Sequence, residues 1–216
     1  MTTFTNPLET TMTTTSLDRA ERVQLKLFAT PGAPDAPALI PVFHEWISDG
    51  SLETDELLID VADYSHVKAG PGVLLIGHGA DWSYDLEEER PGLLFSRKRA
   101  FAGDFRARLE DALRQALRAA GVLALDPRLP GLAFDARELL VRVPDRLHAP
   151  NDDASFAALV PHIVGAVRAV LGEDVGVRVS RVAKERSDVA TGPLAARVVL
   201  EGAPAIARAQ ARRAAE

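Results

Sequence analysis

Asp60, Tyr64, His66 and His78 are the residues whose types and spacing could do chemistry together. They fall within residues 55–85, DELLIDVADYSHVKAGPGVLLIGHGADWSYD, which hold two of the chain's five histidines. Imidazole and carboxylate suit zinc or iron, so Asp60, His66 and His78 form a candidate metal set, with His44 as a further member. In the alternative chemistry Asp60 orients His78 as a general base, fixing its tautomer and raising its basicity. The same residue types also serve as a structural polar network, each histidine bonded to a carboxylate or carbonyl. Leu58, Leu74 and Ile76 fall on the same side and favour that structural role. The basic run Arg97-Lys98-Arg99 adds a candidate anion site, with Arg97 and Arg99 able to grip a carboxylate or phosphate bidentately. Its competing role is a solvated strand end balancing Glu87-Glu88-Glu89.

Other signatures are absent. The chain has no cysteine, which excludes disulfides, thiol catalysis and Cys-ligated zinc. No P-loop motif and no G-x-S-x-G elbow occur. His44-Glu45-Trp46-Ile47-Ser48 begins like H-E-x-x-H, but serine occupies the second ligand position. Gly70-Pro71-Gly72 is a tight turn and not a dinucleotide loop.

Positioning the four polar residues requires a β-hairpin. Leu57 to Val67 and Val73 to Ala80 are rich in Val, Ile and Leu and are separated by Gly and Pro. Pairing Val67 with Val73 sets His66 opposite Leu74, Tyr64 opposite Ile76 and Ala62 opposite His78. Because side chains alternate along each arm, Asp60, Tyr64, His66 and His78 are then expected on one face.

Around this hairpin the chain reads as α+β: a mixed, largely antiparallel sheet with a central β-hairpin and three main helices packed on it. Val23 to Phe28 alternates as a first strand. Ala38 to Ser48 reads as a helix ended by Gly50, with His44 on or beside its apolar stripe. Asp81 to Glu89 reads as a polar turn, and residues 93–99 as a strand with a basic end. Asp104 to Ala120 is an amphipathic helix capped by Asp104 and closed by Gly121. Glu138 to Val143 is a strand. A second long apolar helix, Ala154 to Leu171, is expected to kink or restart at Pro161. Residues 175–179 and 193–200 complete the sheet as a hairpin.

A length of 216 residues and 47% hydrophobic content describe one globular domain over residues 21–201. A Thr-rich tail, residues 1–20, is expected to be disordered, and an Ala/Arg-rich tail, residues 202–216, to be a frayed helix or disordered. The N-terminus lacks a secretory pattern, and no apolar run was expected to reach membrane-spanning length. A net charge of -6 gives no general attraction to nucleic acid or to anionic membrane. Together with the lack of cysteine, this describes a soluble, cytoplasmic protein.

The segment LLIDVADYSHVKAGPGVLLIGHGADW resembles the signature of a bacterial protein family in which IDVADYSHV and GPGVLLIGH sit in the N-terminal third. The resemblance covers residues 43–99. It implies a soluble bacterial protein and carries over no activity or catalytic residue. The leading expectation is a ligand-binding or interaction module whose partner approaches the face bearing Asp60, Tyr64, His66 and His78. The alternatives are a metal-assisted or general-base enzyme using those residues with His44, and a structural subunit of an oligomer or larger assembly.

Overall fold

The computed structural model describes residues 16–99, 102–182 and 192–201. Eight strands form one sheet: β1 (Val23–Ala29), β2 (Leu58–Tyr64), β3 (Gly72–Gly77), β4 (Ala80–Asp85), β5 (Gly92–Arg97), β6 (Phe134–Val143), β7 (Gly176–Arg181) and β8 (Leu194–Glu201). Their order is β2-β3-β4-β5-β1-β6-β8-β7, and every pairing is antiparallel. Three helices pack on it: α1 (Ile40–Asp49) against β2, α2 (Phe105–Leu125) across β1 and β5, and α3 (Asp153–Leu171) on β7, β8 and α2. The fold is α+β, with the β2–β3 hairpin at the sheet's edge rather than its middle.

Alternation explains how one sheet face became the core. Val23, Leu25 and Leu27 of β1, Leu93 and Phe95 of β5, and Leu139 and Val141 of β6 are cross-strand neighbours and all buried. Leu109, Leu113, Ala116 and Ala120 recur at helical spacing along α2 and cover them. At about 25 cal/mol per Å2, each buried leucine contributes roughly 2 kcal/mol. Asp104 starts α2 by accepting from the Ala107 N–H at 2.8 Å.

Four expectations need correction. The segment 80–85 is the strand β4, not a turn; Trp82 and Tyr84 point into the core while Asp81, Ser83 and Asp85 alternate onto the other side of the sheet, where Ser83 and Asp85 are also buried. Helix α2 continues through Gly121 to Leu125, because Ala120 and Leu123 keep its buried stripe running. Helix α3 passes Pro161 without a restart; that proline lies on its exposed side and gives up only the bond to the Ala157 carbonyl. Residues 17–20 are not a loose tail, since Ser16–Arg19 form a 3-10 turn that buries Leu17 and Ala20. There the Asp18 carboxylate accepts from the Phe105 N–H. The remainder of both expected tails lies outside the described residues. Helix α3 is also long and apolar enough, by length and composition alone, to cross a membrane, with a mean hydropathy of 1.7; its Leu159, Ile163, Ala166 and Val167 are buried in this fold.

Candidate functional site

The hairpin pairs Tyr64 with Gly72, Asp63 with Val73, Ala62 with Leu74 and Asp60 with Ile76. Val73 therefore faces Asp63 and not Val67. The first arm ends early because Asp63 makes its own turn, its carboxylate accepting from the Ser65 N–H at 2.8 Å. Hydrogen bonds from the Ser65 side chain and backbone hold the Asp63 carboxyl below its usual range. The Val67 N–H then bonds Tyr64, and the Gly70 N–H bonds Val67. Gly70 sits so close to Val67 that any added Cβ would lie 2.8 Å from the Val67 Cβ. Gly72, at φ +63, lies against the Tyr84 carbonyl.

A register change of four residues preserves side-chain parity, so Asp60 and Tyr64 still share the open face of the sheet. The histidines leave that arrangement. His66 lies in the turn beyond β2, its ring stacked near Tyr64 at a centroid separation of 6.4 Å. His78 is exposed in the opposite connection, between β3 and β4. With about 3.3 Å per residue, the two ends of β3 are some 17 Å apart. His44 is exposed on α1, whose buried side is Val42, Phe43 and Trp46. Among the described residues no three His, Asp or Glu side chains converge to hold a metal. His44, Asp60, His66 and His78 thus occupy separate places.

The basic run is divided too. Arg97 is 8% exposed, and its guanidinium binds the Glu56 and Asp111 carboxylates behind the sheet. Lys98 bonds Asp81 at 2.7 Å and the Gly77 carbonyl at 2.8 Å. Arg99 alone is exposed.

The hairpin does expose a strand edge. Among the described residues nothing pairs with β2 on its outer side. The Val61 N–H is bonded to the Asp60 carboxylate at 2.8 Å, turned away from β3, so the outward backbone groups are those of Val61 and Asp63. Four of the exposed large apolar side chains flank this edge: Leu57 at 69%, Ile59 at 54%, Tyr64 at 45% and Val67 at 39%. Ile59 sits where the pairing register slips, an outward-bulged residue. Residues 53–67 contain no lysine or arginine, and Asp55, Asp60 and Asp63 are exposed among them.

The open face holds a second polar group that sequence reasoning missed. Lys26 is fully buried, and its ammonium meets the Asp85 carboxylate at 2.5 Å. It also donates to the Glu87 carbonyl at 3.1 Å. Burial pushes the lysine down and the aspartate up, each toward its neutral form, against their mutual attraction. A 3-10 turn, Glu87–Glu89, accompanies the pair, with Glu88 and Glu89 at φ of 63° and 54°. Arg142 holds it through Glu87 at 2.8 Å and Glu88 at 3.1 Å. Arg90 grips Glu138 at 2.9 and 3.2 Å while its guanidinium lies 3.8 Å from the Phe28 ring centroid. Lys26 and Asp85 lie 59 positions apart, and β1 and β4 come together only through β5, so no local pattern announced the pair.

No family model matches the chain. No curated protein and no solved structure matches it either.

Proposed function

We propose that the protein is an interaction module that docks an extended segment of a partner along the outer edge of β2. The observation that supports this reading is the outer edge of β2, unpaired among the described residues and flanked by the exposed Leu57, Ile59, Tyr64 and Val67. Long apolar edges are normally blunted in monomeric proteins, because they template further strand pairing. Backbone groups of Asp63 and of Val61, whose N–H exchanges the Asp60 carboxylate for a partner carbonyl, supply the hydrogen bonds of strand addition, and the apolar side chains supply contact area. Asp55, Asp60 and Asp63, exposed in a stretch (residues 53–67) without lysine or arginine, select a partner that alternates apolar residues with lysine or arginine. A second copy of β2 is disfavoured by the same charges, since edge-to-edge pairing brings like carboxylates together.

Calorimetric titration with synthetic nine-residue strands tests this reading. A peptide alternating Val and Lys is expected to bind, weakening with salt, whereas its Val/Glu counterpart does not. An I59S/Y64S variant, altered only at exposed positions, loses the interaction while keeping its fold. Equal binding of both peptides, or an unchanged affinity in the variant, refutes the reading. A concentration-dependent dimer abolished by I59S/Y64S would replace it with self-assembly.

A further inference from the structure

Three loops meet at one end of the sheet around a cleft of about 670 Å3, away from the β2 edge. They are the chain leaving β1 (residues 29–33), the entry to β5 (residues 89–91) and the start of β6 (residues 134–137). That volume lies within the range of small-molecule sites. Cross-loop hydrogen bonds fix the three loops relative to one another. The Ala29 N–H donates to the Pro91 carbonyl at 2.8 Å, and the Thr30 N–H donates to the Ala133 carbonyl at 2.8 Å. Gly131, at φ +81, packs against the Gly32 carbonyl. Ala29, Pro31, Ala33, Pro91 and Phe134 make its walls mostly apolar and stiff.

Its two arginines differ. Arg90 is committed, both terminal nitrogens on Glu138 and its plane over Phe28. The Arg137 side chain is 78% exposed; its backbone N–H donates to the Asp135 carboxylate at 2.9 Å, and among the described residues its guanidinium bonds only that carboxylate, from Nε at 3.3 Å. The terminal fork of Arg137 is thus available to a ligand at the rim, above apolar walls. Glu89 and Asp135 balance the two arginines, so the lining has no excess positive charge to hold a dianion. An acceptor with one negative charge fits the fork.

We propose that this cleft binds a small, flat monocarboxylate, with the apolar body against Pro31, Pro91 and Phe134 and the carboxylate on Arg137. Benzoate is the probe, benzamide its uncharged match, and inorganic phosphate the competing anion, each followed by amide NMR on the intact protein. Benzoate shifts the amides of Ala29, Thr30, Gly32, Ala33 and residues 134–137 saturably, and benzamide binds about tenfold more weakly. Phosphate leaves those amides in place. R137Q weakens benzoate to the level of benzamide without altering other resonances, and R137K restores part of the difference. The proposal is overturned if benzoate causes no saturable shift at about 10 mM, well beyond a millimolar dissociation constant. It is equally overturned if benzamide matches benzoate, if phosphate binds more tightly, or if R137Q binds benzoate unchanged.

Discussion

Replacing Lys26 by methionine keeps the side-chain volume but removes the ammonium that faces Asp85 at 2.5 Å. Both side chains are almost entirely out of solvent, at 0% and 2% exposure. Their gross attraction is about 6–7 kcal/mol at an effective dielectric of 20. Desolvation of two ions offsets most of it, so the pair's net contribution is small. Breaking it is a different matter, because K26M leaves a carboxylate buried without its partner. We expect K26M and D85A each to destabilise the fold by about 3–5 kcal/mol at neutral pH. The K26M/D85A double variant should fall far short of the sum, with a coupling of about 3 kcal/mol and a residual loss from the small cavity. Denaturant unfolding of the four proteins, followed by circular dichroism, reads this directly. The pH dependence has a definite sign. Asp85 is raised by burial, so the folded state binds its proton more readily than the unfolded chain. In K26M, without the lysine's opposing attraction, stability therefore rises as pH falls from neutrality toward the unfolded carboxylate value. Additive single losses, or a K26M variant within about 0.5 kcal/mol of the parent, would refute a buried and coupled pair.

Other consequences can be checked in the same way. The Tyr84 hydroxyl is buried without a hydrogen-bond partner among the described residues. Y84F should accordingly be neutral or stabilising by about 1 kcal/mol in denaturant unfolding. Burial pushes the Tyr84 phenol up to about 12, so the unfolded chain loses this proton first. Stability should decline as pH climbs from 10 toward 12 in the parent, and less so in Y84F. Hydrogen bonds from Arg90 hold the Glu138 carboxyl below its ordinary 4.5. Its contribution is complete above that value and disappears as pH falls through the lowered one, so E138Q should flatten the acid limb of the stability profile. Removing the α2 cap with D104A should cost about 1 kcal/mol in thermal or denaturant unfolding.

Much of the architecture was legible because local patterns and global packing agree. The stripe of α2, the alternation of residues 23–28, and the final hairpin all became the expected elements. The strand β4 was hidden by its own composition: aspartates at positions 81 and 85 suggested a turn, although Trp82 and Tyr84 carried the period-two signal of a buried face. The hairpin register differs from the expected one because Asp63-Tyr64-Ser65 forms an Asx turn within a run rich in strand formers. Even so, the even-numbered slip kept Asp60 and Tyr64 together, and Tyr64 brought His66 near. His78 was carried to the far end of β3 once that strand stopped at Gly77. The Lys26–Asp85 pair depends on strand order, which periodicity does not encode. Its only sequence trace is a lysine inside the otherwise apolar run Leu25 to Phe28.

The β2 edge is tested most directly by amide hydrogen exchange at Val61 and Asp63, measured with and without the Val/Lys strand peptide. The account predicts that these outward amides become protected on peptide addition while the interior strands β1 and β5 are unchanged. Unaltered exchange at Val61 and Asp63 under saturating peptide would contradict it.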